Sequence, residues 1–193
     1  MPKFAVLLLD LQKDFLDGES GRMPVDRAGA DAVLAVANDI LSKRVLADAL
    51  PVLVVNRFPA SAHFANFFRK GAAIIGSDGA EFDARLHNRE TVQVISKSSP
   101  SAFSNPELDK LLSKQDVQEL YVMGVFAEAC VRATVTDAIK LGFTVHVLAD
   151  AVASDAAWKK QVGMWAMKRA GARIMDGLPE PMAPTQPFPH SMW

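Results

Sequence analysis

Short apolar runs recur along the chain without alternating with polar residues, and segments of helical character separate them. The runs are rich in Val, Leu and Ile, which is typical of parallel strands that are covered on both faces. We predict strands at residues 4–9, 52–55, 91–95, 119–123, 143–148 and 172–175. Between them, apolar residues recur at helical spacing, as at Ala30, Leu34, Ala37 and Leu41. This alternation predicts a doubly wound α/β domain.

Composition narrows the possible partners. The chain has 193 residues, and half of them are hydrophobic, which suffices for one compact domain with its own core. Its 21 basic and 22 acidic residues leave a net charge of −1, which argues against a nucleic-acid or anionic-membrane surface. The single cysteine excludes an internal disulfide and predicts a reduced, cytoplasmic setting. The first apolar run ends after six residues at Asp10, so we expect neither a signal peptide nor a membrane span.

Proline is concentrated near the C-terminus, where the last fifteen residues carry five of the eleven prolines. We therefore predict one domain over residues 1–176 and a proline-rich C-terminal arm over residues 177–193. This arm is either a loosely ordered tail or a segment laid across a neighbouring subunit, with Phe188 and Trp193 as anchors.

Three chemically active side chains follow predicted strands. In open α/β sheets the functional crevice lies beyond the carboxyl ends of the strands. Asp10 follows the first strand, Lys97 the third, and Cys130 lies after the fourth, close to the start of a helix. A helix start favours a thiolate, a carboxylate can carry a proton between thiol and leaving amine, and an ammonium can keep both groups charged. Together they suggest covalent amide cleavage. Taken singly, a lone cysteine is more often an inert core residue, and Asp10 and Lys97 could equally be a strand-end cap and a surface lysine.

Several motifs stand in a characteristic order along the chain: Asp10-Leu11-Gln12-Lys13-Asp14-Phe15, Gly76 to Glu81, Lys97 with Ser101-Ala102-Phe103, and Gly124 to Val131. Together they resemble the isochorismatase-like cysteine hydrolases, the family of nicotinamidases and N-carbamoylsarcosine amidases. The resemblance covers nearly all of residues 4–176. It implies a three-layer α/β/α fold with a six-stranded parallel sheet of order 3-2-1-4-5-6.

The same resemblance implies roles for individual residues. Cys130 would be the nucleophile, Asp10 the general base and then acid, and Lys97 the partner that tunes their charges. A cis peptide bond is implied at Val125–Phe126, with the backbone N–H groups of Phe126 and Cys130 forming an oxyanion hole.

Departures from the family pattern narrow the expected reaction. Nicotinamidases carry an Asp-x-His and a later His for a metal after the second strand, whereas this chain has Asn56-Arg57-Phe58 and then His63. We therefore predict no metal and no cofactor. True isochorismatases lack the nucleophilic cysteine, so Cys130 disfavours their chemistry. The prediction is a metal-independent hydrolase that cleaves the C–N bond of a small amide, ureido or imide substrate through a thioester on Cys130.

Substrate contacts and subunit contacts are predicted from aromatic and basic residues. Phe15, Arg57 and Phe58 are expected to line the pocket, with Arg57 either clamping a substrate carboxylate or lying free on the surface. The cluster Phe64, Phe67 and Phe68 is predicted to be buried, or to mark an interface if exposed. Trp158 and Trp165 are expected in the core or at a subunit interface, and a homo-oligomer, dimer or tetramer, is expected.

Two other classes of function stay open on the sequence. One is a catalytically silent relative that binds a small molecule or serves as a scaffold, although retention of Asp10, Lys97 and Cys130 weighs against it. The other is a thiol redox sensor that uses Cys130 alone, which is weakened by the lack of a second cysteine to resolve a sulfenic acid.

Overall fold

The computed structural model describes residues 4–42 and 49–177. Strands and helices alternate along this part of the chain, as predicted. The strands are β1 Phe4–Leu9, β2 Ala49–Asn56, β3 Gln93–Lys97, β4 Glu119–Val125, β5 Thr144–Ala153 and β6 Arg173–Met175. The α-helices are α1 Lys13–Leu16, α2 Arg27–Leu41, α3 His63–Phe68, α4 Pro106–Lys114, α5 Arg132–Lys140 and α6 Ala157–Ala170. Short helical turns lie at Asp78–Ala80 and Ala102–Ser104, and a π-helical turn at Ala127–Val131 precedes α5.

All six strands form one parallel sheet in the order β3-β2-β1-β4-β5-β6. The central strand β1 is held on both edges, since Leu7 lies opposite Val52 of β2 and Val122 of β4. The predicted strand order is confirmed. It places the carboxyl ends of β1, β2, β3 and β4 side by side at one edge of the sheet.

Helices cover both faces of the sheet, and β1 shows this directly. Its side chains alternate between two cores, with Val6 and Leu8 on one side and Leu7 and Leu9 on the other, and all four are fully buried. The first core is closed mainly by α2 through Ala30, Val33, Leu34, Ala37, Ile40 and Leu41. The second is closed by α4, α5 and α6 through Leu108, Leu112, Val135, Ala138 and Met167. The three-layer arrangement is confirmed.

Helix α6 faces the domain with residues other than the two tryptophans that were expected in the core or at a subunit interface. Trp158 and Trp165 are each 64% exposed, so the expectation that they lie in the core is wrong. Gly163 and Met167 are buried instead. A Cβ on Gly163 would lie 2.5 Å from the carbonyl carbon of Ala127, so only the glycine face can approach the turn before α5 this closely.

The phenylalanines of α3 are also on the surface. Phe64, Phe67 and Phe68 are 81%, 79% and 66% exposed, so the prediction of burial is wrong. Helix α3 has only six residues and is anchored instead through buried Asn66, whose Nδ2 donates a hydrogen bond to the Pro59 carbonyl at 3.0 Å. The Phe68 ring packs edge to face against the rings of both Phe64 and Phe67.

Two expectations concern the remainder of the chain. Within residues 4–42 and 49–177, no helix is both long and apolar enough to cross a membrane. The anchors proposed for the C-terminal arm, Phe188 and Trp193, lie outside the described residues, and only Gly177 of that arm lies within them.

Substitution of Gly163 by Ala tests the close approach of α6. We expect the free energy of unfolding to fall by about 1–3 kcal/mol, because the new methyl group would overlap backbone atoms of Ala127 and Glu128. Chemical denaturation measures this change. Gly18→Ala is the matched control, since a Cβ there meets no atom within 4 Å. Equal stability of the two variants would contradict the packing described here.

Candidate active site

The sheet brings three polar side chains together at its carboxyl edge. Asn56 is the last residue of β2 and lies opposite Lys97, the last residue of β3. Asp10 directly follows β1, and its backbone N–H donates to the Val54 carbonyl at 2.8 Å. Its φ of 60° is in the left-handed region, which aspartate tolerates better than most residues. Cys130 reaches the same place from the π-helical turn after β4.

Lys97 is the centre of this cluster. Its Nζ donates to Oδ2 of Asp10 at 2.9 Å and to Oδ1 of Asn56 at 2.8 Å. It also lies 3.3 Å from Sγ of Cys130. An ammonium has three protons, so each can be directed to one of these partners. Because the Lys97 and Asp10 side chains are 0% and 1% exposed, the ammonium depends on protein atoms rather than water for solvation.

Protonation in the cluster is governed by burial and by these charges. Burial raises the pKa of the Cys130 thiol to about 12, with a further contribution from the Asp10 carboxylate. Burial also raises the pKa of Asp10, and the Lys97 ammonium offsets only part of that rise. Burial by itself would lower the pKa of Lys97, but Asp10 and Cys130 outweigh it and raise that pKa. These shifts oppose the expected preference for a thiolate, because burial and the Asp10 carboxylate favour the protonated thiol.

Asp10 keeps one oxygen free for chemistry. Oδ2 accepts the Lys97 hydrogen bond, whereas Oδ1 is buried and has no hydrogen-bond donor among the described residues. A buried carboxylate oxygen without a donor is costly unless a ligand or a transferred proton uses it. Oδ1 can therefore accept a proton from a neighbouring group.

The turn that carries Cys130 is tied to the end of β5. The Ala127 N–H donates to Oγ of Ser154 at 3.2 Å, and that hydroxyl donates to Oε2 of Glu128 at 2.6 Å. Glu128 therefore serves to brace the turn. The Val125–Phe126 peptide is cis, as the resemblance implied. The Phe126 N–H has no hydrogen-bond acceptor in residues 4–42 and 49–177, which leaves it available to a ligand.

A small pocket of about 210 Å³ opens onto the sulfur of Cys130. Two of the predicted substrate-contact residues, Phe15 and Phe58, line it, and the Phe15 ring stands edge to face against Phe126. The remaining lining residues are Met23, Asn56, Arg69, Ser98, Pro100, Phe126 and Ala129.

Arg57, the third predicted contact, does not line this pocket. Successive residues of an extended segment point to opposite sides, so Arg57 and Phe58 diverge beyond β2. Arg57 faces a neighbouring surface cleft, where its guanidinium lies 3.9 Å from a carboxylate oxygen of Glu81. The expectation that Arg57 contacts a substrate in the Cys130 pocket is therefore not supported by its position.

Comparison with known proteins identifies the family to which this chain belongs. The family model described as the isochorismatase domain matches residues 4–177. The chain belongs to the isochorismatase family. The predicted family is therefore confirmed, as is the predicted enzyme class, a hydrolase acting on C–N bonds other than peptide bonds.

Individual members of the isochorismatase family are similar to this chain over most of its length. The nicotinamidase of Escherichia coli is 28% identical over 180 residues, which cover 78% of this chain and 83% of that protein. A probable inactive nicotinamidase of Arabidopsis thaliana is 30% identical, with 78% and 80% covered. The crystal structure of the pyrazinamidase of Pyrococcus horikoshii in complex with zinc superposes with a TM-score of 0.78 at 31% identity, covering 90% of this chain and 99% of that one.

Because a zinc complex occurs among these structures, the residues after β2 require a test against a metal. Asn56 lies at the end of β2, and its Oδ1 already accepts a hydrogen bond from the Lys97 ammonium. His63 is exposed at the start of α3. Among the described residues, no group of three His, Cys, Asp or Glu side chains is placed to hold a metal ion. The side chains present therefore do not fit a metal centre.

Asn56 and Gln12 were missed as members of the site by sequence reasoning. Asn56 Nδ2 lies 3.8 Å from Sγ of Cys130, while its backbone is held from both sides by Gln12. The Gln12 Nε2 donates to the Asn56 carbonyl, and the Asn56 N–H donates to Gln12 Oε1, both at 2.8 Å. The available signal was the position of Asn56 at a strand end and of Gln12 two residues after Asp10.

Substitution of Asp10 by Asn is expected to lower the pKa of Cys130 below about 12, because the carboxylate that opposes ionisation of the thiol is removed. The pH dependence of alkylation measures this pKa without ambiguity, since Cys130 is the only cysteine. Asp155→Asn removes an exposed carboxylate paired with Lys159 and is the control. A Cys130 profile that shifts to higher pH in Asp10→Asn would contradict this electrostatic account.

Substitution of Asn56 by Leu is expected to lower the free energy of unfolding by about 1–3 kcal/mol, because one Lys97 proton would lose its acceptor in a buried site. Urea denaturation measures the change. Stability equal to that of the unaltered protein would show that Asn56 does not support the ammonium.

Proposed function

We propose that the protein hydrolyses the C–N bond of a small amide, ureido or imide compound through a thioester on Cys130, without a metal. The observation that carries this proposal is the contact of the Cys130 sulfur with Lys97 at 3.3 Å, beside Asp10, at the base of a pocket. A nucleophile, a proton carrier and a fixed positive charge thus meet where a small carbonyl compound can reach them.

The first half of the reaction forms the thioester. The Cys130 sulfur attacks the carbonyl carbon while its proton passes to Oδ1 of Asp10, the oxygen that has no hydrogen-bond donor among the described residues. The carbonyl oxygen becomes an oxyanion and accepts hydrogen bonds from the N–H groups of Phe126 and Cys130. As the intermediate collapses, the C–N bond breaks and Asp10 returns the proton to the leaving nitrogen.

The second half regenerates the enzyme. Asp10 accepts a proton from water, and the water oxygen attacks the thioester carbonyl carbon. The C–S bond breaks, and the proton returns from Asp10 to the sulfur. The net change is addition of one water across the C–N bond.

The electrostatics of the resting site support transfer of the thiol proton during attack. A thiol with a pKa raised to about 12 holds its proton until a base accepts it, and the raised pKa of Asp10 makes that carboxylate a stronger base than a free aspartate. Lys97 stays positive throughout and balances the negative charge as it moves between sulfur and carboxylate.

We also propose that the protein forms a homo-oligomer in the cytoplasm. Exposed aromatic side chains on α3 and α6 support the oligomer, because apolar patches of this kind often mark interfaces. The single, unpaired cysteine supports a reducing compartment.

Loss of the sulfur is expected to abolish turnover. Ammonia release from small amides and ureido acids, and acid release from imides, should fall roughly a thousandfold or more in Cys130→Ala and Cys130→Ser, and mass spectrometry of quenched wild-type protein should show an acyl adduct on Cys130. EDTA should leave the wild-type rate unchanged.

Two results would overturn parts of this proposal. Full activity in Cys130→Ala would exclude the thioester, and inhibition by EDTA would exclude metal-independent hydrolysis. If the whole panel yields neither ammonia nor an adduct, the silent binding protein becomes the better account.

A further inference from the structure

The pocket over Cys130 has a mostly apolar wall with one cationic side chain. Phe15, Met23, Phe58, Pro100 and Phe126 supply the apolar part. The cation is Arg69, which directly follows α3. This guanidinium is half-buried among apolar side chains, so water screens its charge less than at an open surface, and an anion that reaches it is bound more strongly.

Arg69 is held in place by the wall itself. Its Cζ lies 3.6 Å from the centre of the buried Phe58 ring, which is a close cation–π contact. One terminal nitrogen donates to Oδ1 of Asn66 at 2.8 Å. Stacking and this hydrogen bond fix the plane of the guanidinium without using most of its N–H groups.

Arg69 has no carboxylate partner among the described residues. No ion pair of residues 4–42 and 49–177 includes it, and its Nε is buried without a hydrogen-bond acceptor among these residues. The nearest catalytic charges do not compensate for it, because Asp10 is already paired with Lys97. Burial correspondingly lowers the pKa of Arg69.

We infer that Arg69 is a specificity-determining residue that binds a carboxylate of the substrate, so that the preferred substrates are small amides or ureido compounds carrying a carboxylate group. This inference rests on the proposed function, since it concerns the pocket of the same cysteine. A carboxylate can accept two parallel N–H bonds from a guanidinium, which orients the substrate as well as attracting it. A pocket of only about 210 Å³ allows a short molecule to occupy both the guanidinium and the sulfur.

Alkylation of Cys130 tests this inference without knowledge of the natural substrate. Iodoacetate and iodoacetamide are nearly identical in shape but differ in charge, and 3-bromopropionate and 3-bromopropionamide place the same difference one carbon further from the sulfur. Each rate is read by mass spectrometry at the only cysteine. The ratio of the acid rate to the amide rate cancels any change in the reactivity of the sulfur itself.

We expect this ratio to fall about tenfold in Arg69→Met for at least one of the two reagent pairs, and to be partly retained in Arg69→Lys, which keeps the charge but loses the bidentate geometry. Arg169→Met is the matched control. Arg169 also stacks on an aromatic ring, that of Trp165, but lies on the exposed face of α6 outside the pocket. The acid-to-amide rate ratio of Arg169→Met should equal that of the wild type. This control separates an effect in the pocket from an effect of net charge.

The outcomes separate the two proposals. Ratios that are unchanged in Arg69→Met for both reagent pairs, or that fall equally in Arg169→Met, would overturn the role of Arg69 even if turnover depends on Cys130. A ratio that falls only in the Arg69 variants supports the carboxylate site even if no amide is hydrolysed, and the proposed reaction would then be the part that fails.

Discussion

The buried ammonium of Lys97 is the interaction on which the site depends. A lysine with a fully buried side chain is tolerated only if protein atoms replace water around its charge, and here Asp10, Asn56 and Cys130 do so. Removing one partner of such a buried pair typically costs about 3–5 kcal/mol. The cluster is therefore a constraint on folding as well as the proposed source of chemistry, because the buried Lys97 charge needs its partners in place.

The parallel sheet is what allows them to meet. Four neighbouring strands end at one edge, and each supplies, or leads directly to, one member of the cluster. The Gln12 side chain then locks the end of β2, and the hydroxyl of Ser154 locks the turn before α5. Rigid strand ends braced by a second layer of hydrogen bonds are well suited to holding a reacting carbonyl group in one orientation.

The polar cluster and the pocket wall differ in how their charges are arranged. Within the cluster, the Lys97 ammonium and the Asp10 carboxylate form an ion pair, and burial raises the pKa of the Cys130 thiol beside them. At the pocket wall, Arg69 has no ion-pair partner among residues 4–42 and 49–177, and the aromatic rings of the pocket limit what can approach it. Under the proposed function, the cluster would supply the chemistry common to many amides, and the pocket wall would select among them.

The sequence by itself determined the layered architecture, because uninterrupted apolar runs and helical stripes leave few alternatives to a covered parallel sheet. It also placed Asp10, Lys97 and Cys130 at strand ends, where parallel topology brings side chains together, and the ordered motifs identified the family.

Only the tertiary structure decided which neighbours complete the site. The sequence alone does not distinguish the roles of Arg57 and Arg69. The alternation of side chains along an extended segment directs Arg57 away from the pocket, whereas the turn after α3 places Arg69 in its wall. Likewise, Trp158 and Trp165 were expected in the core or at a subunit interface. Helix α6 instead packs through Gly163 against Ala127, which leaves both tryptophans on the surface. Such outcomes depend on distances between residues remote in sequence, which local periodicity does not encode.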